Sequence, residues 1–336
     1  MKKIALLLVL TMLAGLAAGC SNTAPAPNQG DSSTVTALAK IPELSISCNQ
    51  PGQSWMLIGT TLAEYLKGTM DLVVVPGSTY GNILVTNSNE TQFGITASTS
   101  LGSAKNGLRY YEQHGKQENV RFVASIYKHS LRGFTNNPDI KTWNDLIGRS
   151  ITYGPPGSEG FDYNPMIFSY LGFSESDLEL KIMPIADAAD QKKNKQLDCF
   201  IGCMPTPYAL MDDVAYSDSN AHLISLDKEY AERLKADWEG FNYDDYSTIE
   251  GNIWKFEEPL YSPYQLITII AHKDVPDEQV YSMTKTLYDN FDALADVVPS
   301  FKGIVGGRDA MIYNDANLIV HPGAEKFWTE VGLTVK

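Results

Sequence analysis

The stretch LVVVPGSTYGN, residues 72–82, decides the fold, because it holds a strand, a turn and the start of a helix in direct succession. Its first four residues are a β-branched run that predicts a strand buried on both faces of a sheet. Gly77 allows a close backbone approach, and Ser78 is placed to cap the next helix or to bind a ligand. One such loop on its own favours a plain turn and helix cap.

The same order returns in SITYGPPGSEG, residues 150–160, where a strand is followed by glycines and Ser158. Exposed backbone amides at a helix start favour an anion, particularly a carboxylate. Two such loops predict an α/β fold of parallel strands and crossover helices, with a ligand cleft at the carboxyl ends of the strands.

Strand and helix patterns alternate on either side of these loops. We predict strands at 44–47 and 93–95, and a helix at 55–67 that ends at Gly68. Two long extended runs, Val120 to Thr135 and Tyr264 to Ala271, are placed to bridge two lobes. Thr142 and Asp145 signal a short helix at 141–146, and the turn at 321–324 opens a terminal helix. Pro276 opens another helix. The core stripe of that helix is Val280, Met283, Leu287, Phe291 and Leu294.

The amino-terminal residues predict an export signal. Lys2 and Lys3 precede an apolar run from Ile4 to Leu16, and small residues then lead to Cys20. The run is too short to span a bilayer, which needs about 20 apolar residues.

The segment 16–20, LAAGC, resembles the lipobox of bacterial lipoproteins, in which cleavage leaves the cysteine as a lipid-carrying first residue. The alternative is an ordinary cleaved signal in which Cys20 is incidental. We predict a lipoprotein signal peptide at 1–19 and a lipidated Cys20 with a flexible linker at 20–40, since 21–36 is small, polar and Pro-bearing. The mature protein is then extracytoplasmic, anchored to the cell membrane by that lipid.

Charge limits the partners. Removal of Lys2 and Lys3 leaves 24 basic against 40 acidic side chains, a balance of −16. A field of this sign repels nucleic acid and anionic lipid, so neither is expected as a main partner. An anionic ligand must therefore be held by local donors.

Three cysteines, Cys48, Cys199 and Cys203, remain after Cys20, and an odd number cannot all pair within the chain. Cys199 and Cys203 lie about 13 Å apart if they share a strand, which is beyond disulfide reach. Their spacing is not that of a zinc site, and no metal or cofactor is predicted. Buried free thiols are the preferred interpretation.

Enzyme signatures are absent from the sequence: it contains no His-Glu-x-x-His, Gly-x-Ser-x-Gly, phosphate-binding loop or Gly-x-Gly-x-x-Gly. The five histidines are scattered, and a convergent catalytic triad leaves no local motif. We predict no enzyme activity, with a lipid-anchored hydrolase as a remote alternative. The acidic and aromatic segment 230–258 is interpreted as an exposed loop or a lid over a cleft.

Together these motifs resemble the TAXI family, the extracytoplasmic solute receptors of tripartite ATP-independent periplasmic (TRAP) transporters. The likeness covers nearly the whole chain from about residue 44, and it lies in the order and spacing of several individually weak motifs. These are Ser78-x-x-x-Asn82 after Val73-Val74-Val75, TWNDLIGR at 142–149 leading into YGPPGS at 153–158, Ala186 to Ala189 with Leu197-Asp198, Asp274-Val275-Pro276 with Val280-Tyr281-x-x-Thr284-Lys285, and HPGAE at 321–325.

The resemblance implies a two-lobed class II periplasmic-binding-protein fold with two crossover segments between the lobes and no catalytic residues. We expect a first lobe of residues 41–133 and 263–336 and a second lobe of residues 134–262. Familiar ligands of the family are small organic anions and amino acids, including glutamate, glutamine and 2-oxoglutarate. The captured solute passes to a membrane permease driven by an ion gradient.

Departures from the family concern the ligand. The first loop reads SCNQPGQSW at 47–55 where glycines and a Tyr pair are usual, and Glu159 stands where the family has a small residue. Trp55 is a candidate aromatic wall and Gln53 a candidate donor, whereas a carboxylate at Glu159 repels an anionic ligand or pairs with an ammonium. The predicted ligand-binding residues are Gln53, Trp55, Ser78, Asn82, Ser98, Thr99, Gly157, Ser158, Glu159 and Thr206.

Lobe one is expected to bind first through 49–55, 77–82 and 98–100, and lobe two to close through 157–159 and 202–206. Lys128 and Arg132 are candidate counter-charges, with solvated side chains as an equal alternative. Two rival functions remain open. One is a binding lipoprotein of an ATP-driven importer, and the other is a sensor or adhesin without transport.

Overall fold

A computed structural model describes residues 42–154, 158–248, 253–254, 259–304 and 306–336. The strands are β1 (Glu43–Ser47), β2 (Asp71–Val75), β3 (Phe93–Ala97), β4 (Val120–Thr135), β5 (Ser150–Thr152), β6 (Glu179–Leu180), β7 (Cys199–Met204), β8 (His222–Ile224), β9 (Phe241–Asp245) and β10 (Tyr261–His272). The α-helices are α1 (Ser54–Tyr65), α2 (Thr79–Asn87), α3 (Ser98–Asn106), α4 (Gly160–Leu171), α5 (Ile185–Lys193), α6 (Ala209–Ser217), α7 (Lys228–Asp237), α8 (Asp277–Asp289), α9 (Phe291–Val297) and α10 (Pro322–Glu330).

The sheet confirms the predicted α/β class and adds an antiparallel centre. Its order is β2-β1-β3-β10-β4-β7-β5-β6, with β8 beside β4 and β9 beside β10. β1 is parallel to β2 and β3 on one flank, and β5 is parallel to β6 and β7 on the other. The long strands β4 and β10 lie between the flanks and pair antiparallel to each other.

β4 and β10 are shared by both halves of the sheet, as expected for segments that bridge two lobes. β10 pairs with β3 from Ile267 onward and with β9 before that residue. β4 pairs with β10 up to Ser130 and with β7 from Ser130 to Thr135. The change of partner at Ser130 marks where one half of the sheet gives way to the other.

Several element boundaries agree closely with the sequence predictions. β4 covers the predicted extended run, and Ser78 caps α2 by accepting a hydrogen bond from the Gly81 amide (3.2 Å). The short helix after Thr142 is a 3₁₀ turn, and it carries the reciprocal capping contacts of Thr142 and Asp145. Capping is a local effect, so it can be predicted from adjacent residues.

Two predictions about strand and helix extent were wrong. β2 lies at the edge of the sheet, and Val73 is 48% exposed, so the β-branched run is not buried on both faces. The helix after Pro276 ends at Asp289 and a second helix begins at Phe291, although the predicted stripe is buried throughout.

The segment 230–248 is not an exposed loop. It forms α7 and β9, and Trp238, Phe241 and Tyr246 are each at most 3% exposed. Burial of the aromatic rings explains why a segment rich in acidic residues orders, since each ring contributes a large apolar area. Residues 249–252 and 255–258 lie outside the described residues.

The core falls into groups on the two halves of the sheet. One large group joins α1, α8, α9 and α10 to β1, β3 and the first part of β4, and includes Ile58, Phe93, Ile269, Leu287 and Trp328. Another lies beneath α4 and α7, and includes Leu131, Tyr163, Phe168, Leu234 and Trp238. Each half therefore carries its own apolar core.

The cysteines in the described part of the chain are free thiols, as predicted. Cys199 and Cys203 stand near opposite ends of β7. Burial raises the pKa of both Cys48 and Cys199 to about 12, and it raises that of Cys203 as well. A thiol with a raised pKa carries little thiolate and reacts slowly.

The predicted signal peptide at 1–19, the lipidated Cys20 and the linker at 20–40 lie outside the described residues. Among the helices that the structure does describe, none combines the length and apolar character needed to cross a bilayer.

Candidate ligand-binding site

The predicted loops on the first half of the sheet are joined by Asn82. Its side-chain amide donates to the carbonyl oxygens of Cys48 and Ile95, at 2.7 Å each, and its carbonyl oxygen accepts from the Ser78 amide at 3.1 Å. Asn82 is fully buried, so its side-chain amide bonds to protein groups and is not exposed to a ligand. Its role is to join the residue after β1, the turn after β2 and the middle of β3, and it was predicted as a ligand contact.

Gly77 makes this arrangement possible. A Cβ atom at this position would lie 2.0 Å from the Asn82 side-chain oxygen and 3.0 Å from the Cys48 carbonyl oxygen. The glycine is therefore required by the close approach of the Asn82 amide. The sequence signal was correct about the close approach but did not identify its cause.

The structure places Gln53, Ser78 and Trp55 around the same end of the sheet. Gln53 precedes α1, and its side chain accepts a hydrogen bond from the Gln50 amide (3.3 Å). Ser78 is exposed beside its helix cap. Trp55 is 5% exposed and donates to the Tyr127 hydroxyl (2.9 Å), so it packs in the core instead of forming an open aromatic wall. Ligand contact by Gln53 and Ser78 stays a prediction.

Ser98 and Thr99 begin α3 and contact the segment that follows α7. The Ser98 hydroxyl donates to the Gly240 carbonyl (2.6 Å) and accepts from the Leu266 amide (3.0 Å). The Trp238 indole donates to the Thr99 carbonyl (3.0 Å). Ser98 is thus saturated by the protein, whereas the Thr99 side chain points to a different partner.

That partner is Glu159, the residue that departs from the family pattern. The Glu159 carboxylate accepts from the Thr99 hydroxyl (3.1 Å), from the Gln265 amide (2.7 Å) and from the Ser100 hydroxyl. Thr99 has a single hydroxyl hydrogen, which it shares between the Glu159 carboxylate and the Gln265 side-chain oxygen. These contacts join the loop before α4 to the start of α3 and to β10.

Glu159 is a carboxylate in a polar but uncharged cage. Burial raises its pKa above the usual range, and Asp162 adds repulsion, although the hydrogen bonds from Ser100, Gln265 and Thr99 oppose the shift. Asp162 itself accepts a hydrogen bond from the Tyr80 hydroxyl. Perturbed carboxylates in a cleft are typical of functional sites.

Two polar atoms near this cage lack a protein partner among the described residues. They are Nε2 of His129 and Oγ of Ser158, and both atoms are inaccessible to solvent. His129 lies directly across from Gln265 in the β4–β10 register, so the two side chains lie on one face of the sheet. Burial and the nearby Arg132 lower the pKa of His129 to about 3, so its imidazole is neutral at pH 7. The two unpartnered atoms are two of eight such atoms in the described residues, and their positions next to Glu159 in the chain and opposite Gln265 in the sheet place them where a ligand could satisfy them.

His129 was missed as a site residue. A usable signal was present, because the sequence YKHSLR at 127–132 interrupts an otherwise apolar strand with three polar, ionisable side chains. Its pairing with Gln265, however, depends on the register of strands far apart in the chain.

The candidate counter-charges have structural roles. Lys128 pairs with Asp244, and its ammonium lies 4.1 Å from the centre of the Tyr264 ring. Arg132 is 3% exposed and donates to three backbone carbonyls, two of them at Met204 (3.2 Å) and Pro205 (2.9 Å). Neither side chain is solvated as an ordinary surface charge, and Arg132 shapes the loop after β7.

Thr206 lies in that loop and is 6% exposed. Its hydroxyl bonds to the hydroxyl of Tyr246 (2.8 Å). Gly157, the remaining predicted site residue, lies outside the described residues. The residues that the structure brings together are therefore Thr99 and Glu159 from the prediction, joined by Ser100, Gln265 and His129.

Two depressions on the surface lie away from this cage. One, of about 640 Å³, is lined by residues of α5 and α6 and the turn after α6, and the other, of about 280 Å³, lies between α1 and β2. Within the described ranges, no three His, Cys, Asp or Glu side chains are grouped to hold a metal ion.

The fold has relatives among solved structures. A TctC solute-binding protein from Polaromonas has the same fold, with a TM-score of 0.50 at 12% identity over 79% of this chain and 90% of that one. The alkanesulfonate-binding protein SsuA from Xanthomonas axonopodis pv. citri aligns over 87% of this chain and 85% of that one, at 13% identity and a TM-score of 0.44. The architecture is the two-lobed periplasmic-binding-protein fold, as predicted.

A family assignment is more specific than the fold. Residues 49–332 match the NMT1-like family, and the chain belongs to that family. Its members are substrate-binding proteins and not enzymes, so this chain is a substrate-binding protein.

Proposed function

We propose that this protein is an extracytoplasmic receptor that captures a small organic acid or amino acid between two lobes and delivers it to a TRAP permease. On this proposal the first lobe comprises 41–133 and 263–336, and the second comprises 134–262. The supporting observation is the Glu159 cage, because its carboxylate comes from the second lobe and its donors from the first.

A contact between the two proposed lobes couples closure of the lobes to binding of the solute. A solute favours the closed arrangement only if it binds that arrangement more tightly than the open one. A solute seated among Glu159, Gln265 and His129 touches side chains of both proposed lobes or of the strands that join them. Such a solute therefore provides the differential affinity that hinged closure requires.

The export signal and Cys20 supply the proposed location. A lipid on Cys20 holds the receptor at the outer face of the membrane, and residues 21–36 give it reach to dock on a permease. The similarity to TAXI receptors supports a TRAP permease as the partner.

Ligand capture is tested by thermal unfolding of the purified protein against a panel of small organic acids and amino acids. A ligand at 100 times its dissociation constant stabilises the folded state by about 2.7 kcal/mol. At least one member of the panel should raise the melting temperature. A panel without effect, together with turnover of esters or peptides, would favour the hydrolase alternative.

The transport partner is tested by uptake into vesicles that contain the permease encoded beside the receptor gene. Uptake through a TRAP permease should stop when the ion gradient is collapsed and should continue without ATP. Uptake that follows ATP and ignores the gradient would assign the receptor to an ATP-driven importer. A receptor whose deletion leaves uptake unchanged would fit the sensor or adhesin.

A further inference from the structure

We propose that the solute carries an ammonium group and that Glu159 is the residue that recognises it. This inference rests on the proposed function and narrows its ligand class, from small organic acids in general to amino acids and related amines. Glu159 then acts as a specificity-determining residue that disfavours a plain organic acid.

The Glu159 carboxylate has no counter-charge among the described residues. In the described residues, every hydrogen bond to the Glu159 carboxylate comes from a neutral group, and none of the ion pairs within 4.0 Å includes it. The charged side chain that acts on it, Asp162, has the same sign. A carboxyl group that is largely removed from water either takes up a proton or pairs with a cation, and an ammonium on the ligand would supply the cation that the described residues do not.

The Glu159 carboxylate also has an unused acceptor position. An ionised carboxylate offers about four acceptor positions. In the Glu159 carboxylate, Oε1 accepts from Ser100 and Thr99, and Oε2 accepts from Gln265 alone. One acceptor position on Oε2 is therefore open, which suits an N–H donor of an ammonium.

Two donors beside Glu159 and Gln265 suit the rest of the solute. His129 Nε2 and Ser158 Oγ are buried without partners, and both can donate a hydrogen bond when they are neutral. Ser158 adjoins Glu159 in the chain, and His129 faces Gln265 across the strand pair. An oxygen acceptor on the same solute would satisfy them. A molecule with an ammonium and a carboxylate matches both parts of the site.

The test compares ligands that differ by one ammonium group. Binding of L-glutamate and glutarate, L-alanine and propionate, and L-leucine and 4-methylpentanoate is measured by calorimetry on the full-length protein. We expect the ammonium-bearing member of at least one pair to bind about 10-fold or more tighter. Glu159→Gln should weaken that member by roughly 30-fold or more, the lower end of the range for truncating one partner of a buried charge pair, and should leave the other member little changed.

Two further variants keep the test decisive. Glu330→Gln removes the same charge from the surface, where Glu330 accepts a hydrogen bond from Tyr281, and should leave binding unchanged. Glu159→Asp retains the charge and should retain the preference for the ammonium. If Glu159→Gln fails to fold, the binding of the ligand pairs to the wild-type protein and to Glu159→Asp still shows whether the site prefers an ammonium.

Equal binding of both members of every pair, or unchanged preference in Glu159→Gln, would overturn the ammonium assignment while leaving the receptor function intact. Binding of the organic acids alone would do the same. Absence of binding by all six compounds and by the wider panel would count against the receptor function itself.

Discussion

Replacement of His129 by glutamine should remove a large part of the protein's loss of stability in acid. The imidazole has a pKa of about 3 in the folded protein, against 6.5 for the ordinary side chain. A histidine with a lowered folded-state pKa contributes stability that is present above pH 6.5 and is lost as the pH falls toward 3. The unfolded chain binds a proton in this window and the folded chain does not.

The magnitude follows from the two pKa values. The free energy of unfolding changes by about 1.4 kcal/mol for each pH unit well below 6.5. Between pH 7 and pH 5 the wild-type protein should therefore lose about 2 kcal/mol through His129 alone. His129→Gln cannot bind this proton, so it should lose about 2 kcal/mol less over the same interval.

Urea denaturation at pH 7 and pH 5 measures this difference. The quantity of interest is the change between the two pH values, because the variant is free to differ from the wild type at pH 7. His114→Gln, a substitution at an exposed position, controls for the general effect of replacing a histidine. Equal losses in the wild type and in His129→Gln would refute a buried, neutral imidazole at this position.

Three further predictions concern the cage and the strand ends. Glu159 has a raised pKa in the folded protein, so its contribution to stability is present at low pH and is lost as the pH rises. Acidification from pH 7 to 4.5 should therefore stabilise the wild type relative to Glu159→Gln. The melting temperatures of the two proteins at both pH values measure this difference. Asn82→Ala removes the side-chain donor from the Cys48 and Ile95 carbonyl oxygens and should lower the free energy of unfolding by about 2–4 kcal/mol, as measured by urea denaturation. Little change would mean that water replaces the amide. Gly240→Ala places a Cβ 2.2 Å from the Ser98 carbonyl at a φ of 101° and should destabilise by more than about 2 kcal/mol, clearly more than Gly52→Ala, where only the positive φ opposes the substitution.

The local features of this fold were predictable from the sequence. The β4 run, the Ser78 cap and the capping pair of Thr142 and Asp145 each depend on residues close together in the chain. Hydrophobic spacing and turn chemistry act at this range. The α/β class followed from the alternation of these elements.

The composition of the site was only partly predictable. The sequence predicted Glu159 as a site residue because it departs from the family pattern, but its donors Ser100 and Gln265 come from a helix start and a strand that are distant in the chain. The exposure of Val73 likewise depends on which strand lies at the sheet edge. These outcomes are set by tertiary pairing, which local patterns do not encode.

Asn82 shows why residue type alone misleads in a cleft loop. An amide beside a Gly-Ser turn suits a ligand contact, and it equally suits the buried carbonyls of neighbouring strand ends. The protein uses it for the second purpose, at 2.7 Å from both oxygens. A buried orphan such as His129 Nε2 is therefore a better indicator of a ligand contact than an amide that is already bonded.

Native mass spectrometry of the full-length protein, purified without denaturation and offered the amino acid panel, tests the receptor account most directly. We predict a one-to-one complex with a small molecule whose exact mass includes an amine nitrogen. A protein that retains its bare mass with every member of the panel would contradict the account.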